Sequence, residues 1–88
     1  MVAGGKHFNS QCCFDYGNAE IDAIDHGPGT MEAIYFGTST GWGHGDGSGP
    51  WVMADLENGL WAGDTKVNAG NKPLAGHDFV TAMVKVAT

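Results

Sequence analysis

Three stretches of the chain carry the residue pattern of strands. Glu32-Ala33-Ile34-Tyr35-Phe36 is rich in β-branched and aromatic residues and ends at Gly37, a composition that suits a pleated, packed surface. Asp78-Phe79-Val80-Thr81-Ala82-Met83-Val84-Lys85-Val86 alternates in part at a period of two, the strand period. Between them, Trp51-Val52-Met53-Ala54-Asp55-Leu56-Glu57 follows Gly49-Pro50 and stops at the turn dipeptide Asn58-Gly59, which predicts a third strand.

The remaining pattern is that of loops. From Gly41 to Pro50 glycine occupies every second position; this excludes a helix and suits a surface loop with unusual backbone angles. Asp64 to Gly76 is similarly punctuated by Asn68, Gly70, Asn71 and Pro73. No amphipathic helix longer than two turns and no internal repeat is present in the pattern. Short strands between Gly-rich loops predict an all-β chain, part of a β-sandwich of the jelly-roll, concanavalin-like kind. Three or four strands do not complete a sandwich. Residues 1–88 are therefore expected to be an internal piece of one domain, with the apolar faces around Ile34, Phe36, Val80 and Val84 left exposed.

Composition sharpens this. A chain of 88 residues with 15 glycines has little side-chain volume to bury and much backbone entropy to lose, so its stability alone is expected to be marginal. Four basic against ten acidic residues give a net charge of −6, which repels phosphate backbones and anionic lipid and argues against nucleic-acid and membrane partners. No apolar run approaches the length of a membrane span, and the start, Met1-Val2-Ala3-Gly4-Gly5-Lys6, lacks the apolar core of a signal peptide.

Candidate chemistry lies in a few places. Cys12 and Cys13 are adjacent; across a trans peptide their Cα atoms would be ~3.8 Å apart, closer than an ordinary disulfide spans. They could be free thiols, pair outside these residues, act as soft metal ligands or form a distorted vicinal bridge. Asp55 and Glu57, two apart on a strand, share a face with Trp51 and Met53. That pairing suits a glycosidase nucleophile and a helper carboxylate, while a solvent-facing edge strand is the plainer alternative. Trp42 in the glycine loop offers a flat surface for a sugar ring, whereas Trp51 and Trp61 are expected in the core. His7, His26, His44 and His77 lack metal-ligand spacing, so no metal is expected. No Walker pattern accompanies the glycines.

Gln11-Cys12-Cys13-Phe14-Asp15-Tyr16-Gly17-Asn18-Ala19-Glu20 closely resembles the signature of glycoside hydrolase family 54, the fungal-type α-L-arabinofuranosidases. The resemblance continues in order through Met31 to Gly37, Trp42-Gly43, Gly49 to Gly59 and Phe79 to Ala82. It implies that Glu57 is the catalytic nucleophile, that Asp55 and Asn58 contact the arabinose, and that Cys12 and Cys13 form a vicinal disulfide lining the sugar pocket beside Trp42. Gly59 stands where some members carry a second Asn contact, which its lack of a side chain removes. The family's general acid/base, an Asp in a Gly-Gly-Asp-Asn segment downstream of the nucleophile, has no counterpart after Glu57 here, nor does the family's C-terminal arabinose-binding module.

The resemblance further implies a secreted, extracellular enzyme without cofactor. It would release terminal α-L-arabinofuranose with retention from arabinan, arabinoxylan or related polysaccharides, and these residues alone would be inactive. The alternative is a non-catalytic arabinose-binding β-sandwich module, distinguished by sugar binding without turnover.

Overall fold

The computed structural model describes residues 1–18, 31–56, 60–63 and 66–85, and these form strands and loops with no helix among them. The strands are β1 (Val2–Gly4), β2 (Asp15–Asn18), β3 (Glu32–Gly37), β4 (His44–Gly45), β5 (Trp51–Asp55), β6 (Leu60–Trp61), β7 (Val67–Asn68) and β8 (Phe79–Thr81).

The main sheet is antiparallel in the order β2-β3-β5-β6. Its inner strand β3 is buried from Ala33 to Gly37, which is why this segment reads as an unbroken apolar run instead of an alternating one. On β5 the alternation is strict: Trp51, Met53 and Asp55 are buried, while Val52 and Ala54 are half-buried. Tyr35, Trp51, Met53, Leu60 and Ala62 form the core cluster, with Phe14 packed against it. Phe8 covers Phe36 edge-on, ring centroids 5.6 Å apart. Fully burying an aromatic or aliphatic side chain stabilises by about 1.5–3 kcal/mol, so the fold depends on Tyr35 and Trp51 within this cluster and on Phe36 on the sheet's other face, the largest fully buried side chains among the described residues.

Two smaller pairings frame the sheet. β1 runs antiparallel to β8, with Val2 opposite Thr81 and Gly4 opposite Phe79. β4 runs parallel to β7. That second pair holds the glycine-rich loop against Trp51: the indole Nε1–H donates to the Asp46 carbonyl at 2.7 Å, and the His44 ring lies 5.5 Å from the indole. Asn71 fastens the facing loop by donating its side-chain amide to the Val52 carbonyl at 2.9 Å, while its own carbonyl accepts from the Asp46 N–H at 2.8 Å.

The alternating glycines are thus partly packing residues, not only surface turns. A Cβ on Gly45 would collide with the Asn71 carbonyl and the Trp51 ring, whereas one on Gly41 would meet nothing within 4 Å. Gly45→Ala is expected to destabilise the protein by about 1–3 kcal/mol, the usual range for overpacking. Gly41→Ala should be near neutral. Thermal melts of the two variants beside the parent check this, and equal melting temperatures would refute the packing role.

Several expectations are corrected. β5 is an inner strand between β3 and β6, not a solvent-facing edge. Trp61 is 52% exposed, because the alternation of β6 turns Leu60 inward and the next residue outward. Of the long strand expected over Asp78 to Val86, the described residues form only Phe79–Thr81, the reach of its register with β1; Val86 lies outside the described residues. Ile34, Phe36 and Val80 are buried within the chain rather than exposed, and of the four only Val84 faces solvent.

Candidate active site

The N-terminal loop delivers Cys12 and Cys13 to the end of the main sheet. Their sulfurs lie against each other as a close vicinal pair, and the peptide between them is cis, not the trans form from which the sequence-based separation was reckoned. β2 begins two residues later with Asp15.

The register fixes which side chains meet. Gly17 of β2, Ala33 of β3 and Asp55 of β5 stand in one row, and Asp15, Tyr35 and Met53 in the next. Residues two apart on a strand share a face, so Asp15, Tyr35, Met53 and Asp55 all project from the face that carries the core. Asp55, at the end of β5, is only 6% exposed. One carboxylate oxygen of Asp55 and the two cysteine sulfurs lie within 4.8 Å of one another. The structure therefore brings together three of the residues singled out from the sequence: Cys12, Cys13 and Asp55.

A soft cation could use such a set only with both sulfurs as thiolates, a state incompatible with joining them to each other.

Trp42 is 58% exposed, as expected for a loop indole. Its neighbour Gly43 is held so close to the Leu60 carbonyl that a Cβ there would stand 2.5 Å from it. Leu60 pairs with Asp55 across the β5–β6 hairpin, so the Trp42 loop borders the hairpin whose connection carries residues 57–59. Glu57 and Asn58 lie outside the described residues.

Asp15 is the residue that sequence reasoning did not place in the site. Burial, a side-chain hydrogen bond with Asp55 and the Asp55 charge together push its carboxyl from an ordinary value of 3.8 up to about 7. Burial also pushes the neighbouring Tyr35 phenol up, while the Ser39 N–H donates to its oxygen at 2.8 Å. The available signal was the position of Asp15 two residues after Cys13 within one motif. It went unused because Asp-Tyr-Gly-Asn is poor in strand-forming residues, so β2 and its facing were not anticipated.

The raised Asp15 value has a measurable consequence. The folded chain binds this proton more tightly than the unfolded chain, so the contribution of Asp15 to stability is greatest below 3.8 and is lost as pH rises through about 7. Denaturant melts across this range should show a downward slope with pH that Asp15→Asn flattens. An unchanged slope in the variant would refute the assignment.

Residues 1–88 match the family model described as alpha-L-arabinofuranosidase B, catalytic. The chain is 58% identical over 84 residues to an alpha-L-arabinofuranosidase B of Aspergillus oryzae, covering 96% of this chain and 17% of that protein. A crystal structure of an arabinofuranosidase complexed with arabinofuranosyl-α-1,2-xylobiose superposes with a TM-score of 0.77 at 49% identity, covering 89% of this chain and 16% of that one. A GH54 α-L-arabinofuranosidase soaked with a cyclic sulfate inhibitor gives 0.78 at 51% identity, with the same coverage. The strands described above are thus those of a β-sandwich of this kind, and the chain spans 17% of the length of the curated relative.

Proposed function

The chain belongs to the catalytic family of alpha-L-arabinofuranosidase B, and from that membership we propose that it forms part of the sugar pocket of a retaining α-L-arabinofuranosidase. The observation that carries the reading is the meeting of Cys12, Cys13 and buried Asp55 at one end of the sheet. A buried carboxylate beside an apolar sulfur pair suits a furanose, whose hydroxyls need an acceptor and whose ring carbons need an apolar wall.

In this reading Cys12 and Cys13 are joined as a vicinal disulfide, in keeping with a secreted protein. Asp55 accepts hydrogen bonds from sugar hydroxyls, Asn58 adds a further contact and Trp42 forms a wall. The Glu57 carboxylate attacks the anomeric carbon as the glycosidic C–O bond breaks and a second carboxyl group protonates the leaving oxygen. Water, deprotonated by that same group, then cleaves the glycosyl ester and restores Glu57, giving net retention. The second group comes from sequence outside residues 1–88, which form one part of a larger catalytic domain. Terminal arabinofuranose on arabinan or arabinoxylan is the substrate class, in line with the arabinofuranosyl-xylobiose bound by a related structure.

The test is covalent labelling of the longer protein with an arabinofuranose-configured electrophile, followed by an unreduced peptide map after thiol alkylation. The label is expected on Glu57, and Cys12 and Cys13 are expected unalkylated. Label on Glu20 or Glu32 would sink the nucleophile assignment, and two alkylated thiols would sink the disulfide.

A further inference from the structure

We infer that Asp15 is a positioning residue that carries a proton and donates it in a hydrogen bond to Asp55, thereby aiming the Asp55 carboxylate at the sugar. The role rests on the arabinofuranosidase reading above. It deepens that reading by adding a residue to the pocket.

The contact is built by the sheet. Asp15 and Asp55 lie on strands separated by β3 and project from the same face. Toward β2, the row that contains Asp55 continues through Ala33 and Gly17, so on the side from which Asp15 approaches that row carries only small residues. Gly17 cannot be enlarged without collision, since a Cβ there would stand 2.9 Å from the Glu32 carbonyl oxygen. The gap is therefore a property of the backbone as well as of side-chain size.

Two carboxylates cannot hydrogen-bond to each other, because both are acceptors only; one proton has to reside between them. The proton is assigned to Asp15 on the oxygen that it leaves buried and unpaired, where a negative charge would go unsatisfied, in line with the upward push that burial gives its carboxyl. Its other oxygen, Oδ1, is buried and has no hydrogen-bond partner. A carboxyl group left half-satisfied at the margin of a core is unfavourable for stability, so packing does not account for its placement. Its bond to Asp55 does: a carboxylate anchored through one oxygen presents the other in a fixed direction, and hydroxyl recognition depends on direction.

The groups that surround Asp15 among the described residues are few. Asp55 faces it from β5 and Tyr35 from β3, the Cys12 and Cys13 sulfurs lie within 4.8 Å of an Asp55 oxygen, and His7 packs against the adjoining Phe14 ring. None of these is a lysine or arginine that would draw the proton off Asp15.

The experiment uses the full-length protein with Asp15→Asn and Asp15→Ala, melts confirming that each variant folds. The Asn variant keeps a donor toward Asp55 without a titrating proton, and the Ala variant keeps neither. Ala should lower kcat/KM on an aryl α-L-arabinofuranoside by ~10–100-fold, the usual loss when an orienting partner is removed. Asn should stay within about threefold of the parent and lose any ionisation near pH 7 from the kcat/KM profile. Ala retaining full activity, or Asn losing as much as Ala, overturns the positioning role.

Infrared titration supplies a readout independent of turnover: a carboxylic-acid carbonyl band should disappear as pH rises through about 7 and be missing in Asp15→Asn. Absence of the band from the parent overturns the inference even if the enzyme is active. A parent that shows the band yet hydrolyses no arabinofuranoside overturns the functional reading and with it the aiming role, while identifying the proton-sharing pair as real.

Discussion

Glu57→Gln in the full-length protein is expected to lower kcat by at least ~10⁴-fold, with little change in substrate binding. Removing a nucleophile from a catalytic set that acts as a unit forfeits most of its rate advantage. An amide cannot form the glycosyl ester, and its neutral oxygen offers no negative charge to the oxocarbenium-like transition state. Asp55→Asn should behave differently: an amide oxygen still accepts from a hydroxyl, so KM rises and measurable turnover remains. The comparison is informative because the residues are two apart and the substitutions are alike in size. Equal losses from both changes would mean that Glu57 is not distinguished as the nucleophile.

The second expectation is that residues 1–88, expressed alone, do not hydrolyse an aryl α-L-arabinofuranoside. General acid/base assistance is typically worth ~10²–10⁴-fold, and the proposed mechanism draws it from another part of the protein. An activated aryl group relaxes the need to protonate the leaving oxygen, but water must still be deprotonated to release the sugar. Met83, Phe79 and Val2 are also largely exposed along the β1–β8 pair, where a larger domain would cover them. The check is an assay of the short chain beside the full-length protein. Robust turnover by the short chain would place the acid within it, with Asp15 the leading candidate given its raised value. Arabinose binding without turnover would fit both an incomplete enzyme and a binding module, and the full-length assay separates those two.

Much of the sheet was legible in the residue pattern because its central strands are long and apolar. Glu32–Gly37 and Trp51–Asp55 announce themselves by composition, and the second also by the turn-forming dipeptide Asn58-Gly59 that follows it in the sequence. The strands that escaped notice are short or polar. Asp15–Asn18 has two poor strand formers at its ends, and Leu60–Trp61 is a two-residue element held by its hairpin partner. Their formation is a tertiary effect: a neighbour supplies the hydrogen bonds that local propensity does not.

The site divides in the same way. Asp55 and Trp42 stand out in the residue pattern and, with Cys12 and Cys13, take their roles from the family resemblance; the structure brings Cys12, Cys13 and Asp55 together. Asp15 stood in the family signature without an assigned part, because its relation to Asp55 exists only once β2 is laid beside β3. The Gly41–Pro50 loop shows the converse. Its composition gave its irregularity, but not that Gly45 is pressed against a buried indole.

That buried indole also divides the chain optically. Trp51 is sealed from solvent, while Trp42 and Trp61 are each more than half exposed. A collisional quencher in solution therefore reaches two of the three fluorophores and leaves the third emitting. Trp42 stands next to Gly43, which is held against the Leu60 carbonyl, so in the proposed reading the quenchable light reports on the neighbourhood of the sugar pocket and the shielded light on the integrity of the fold, without any added dye.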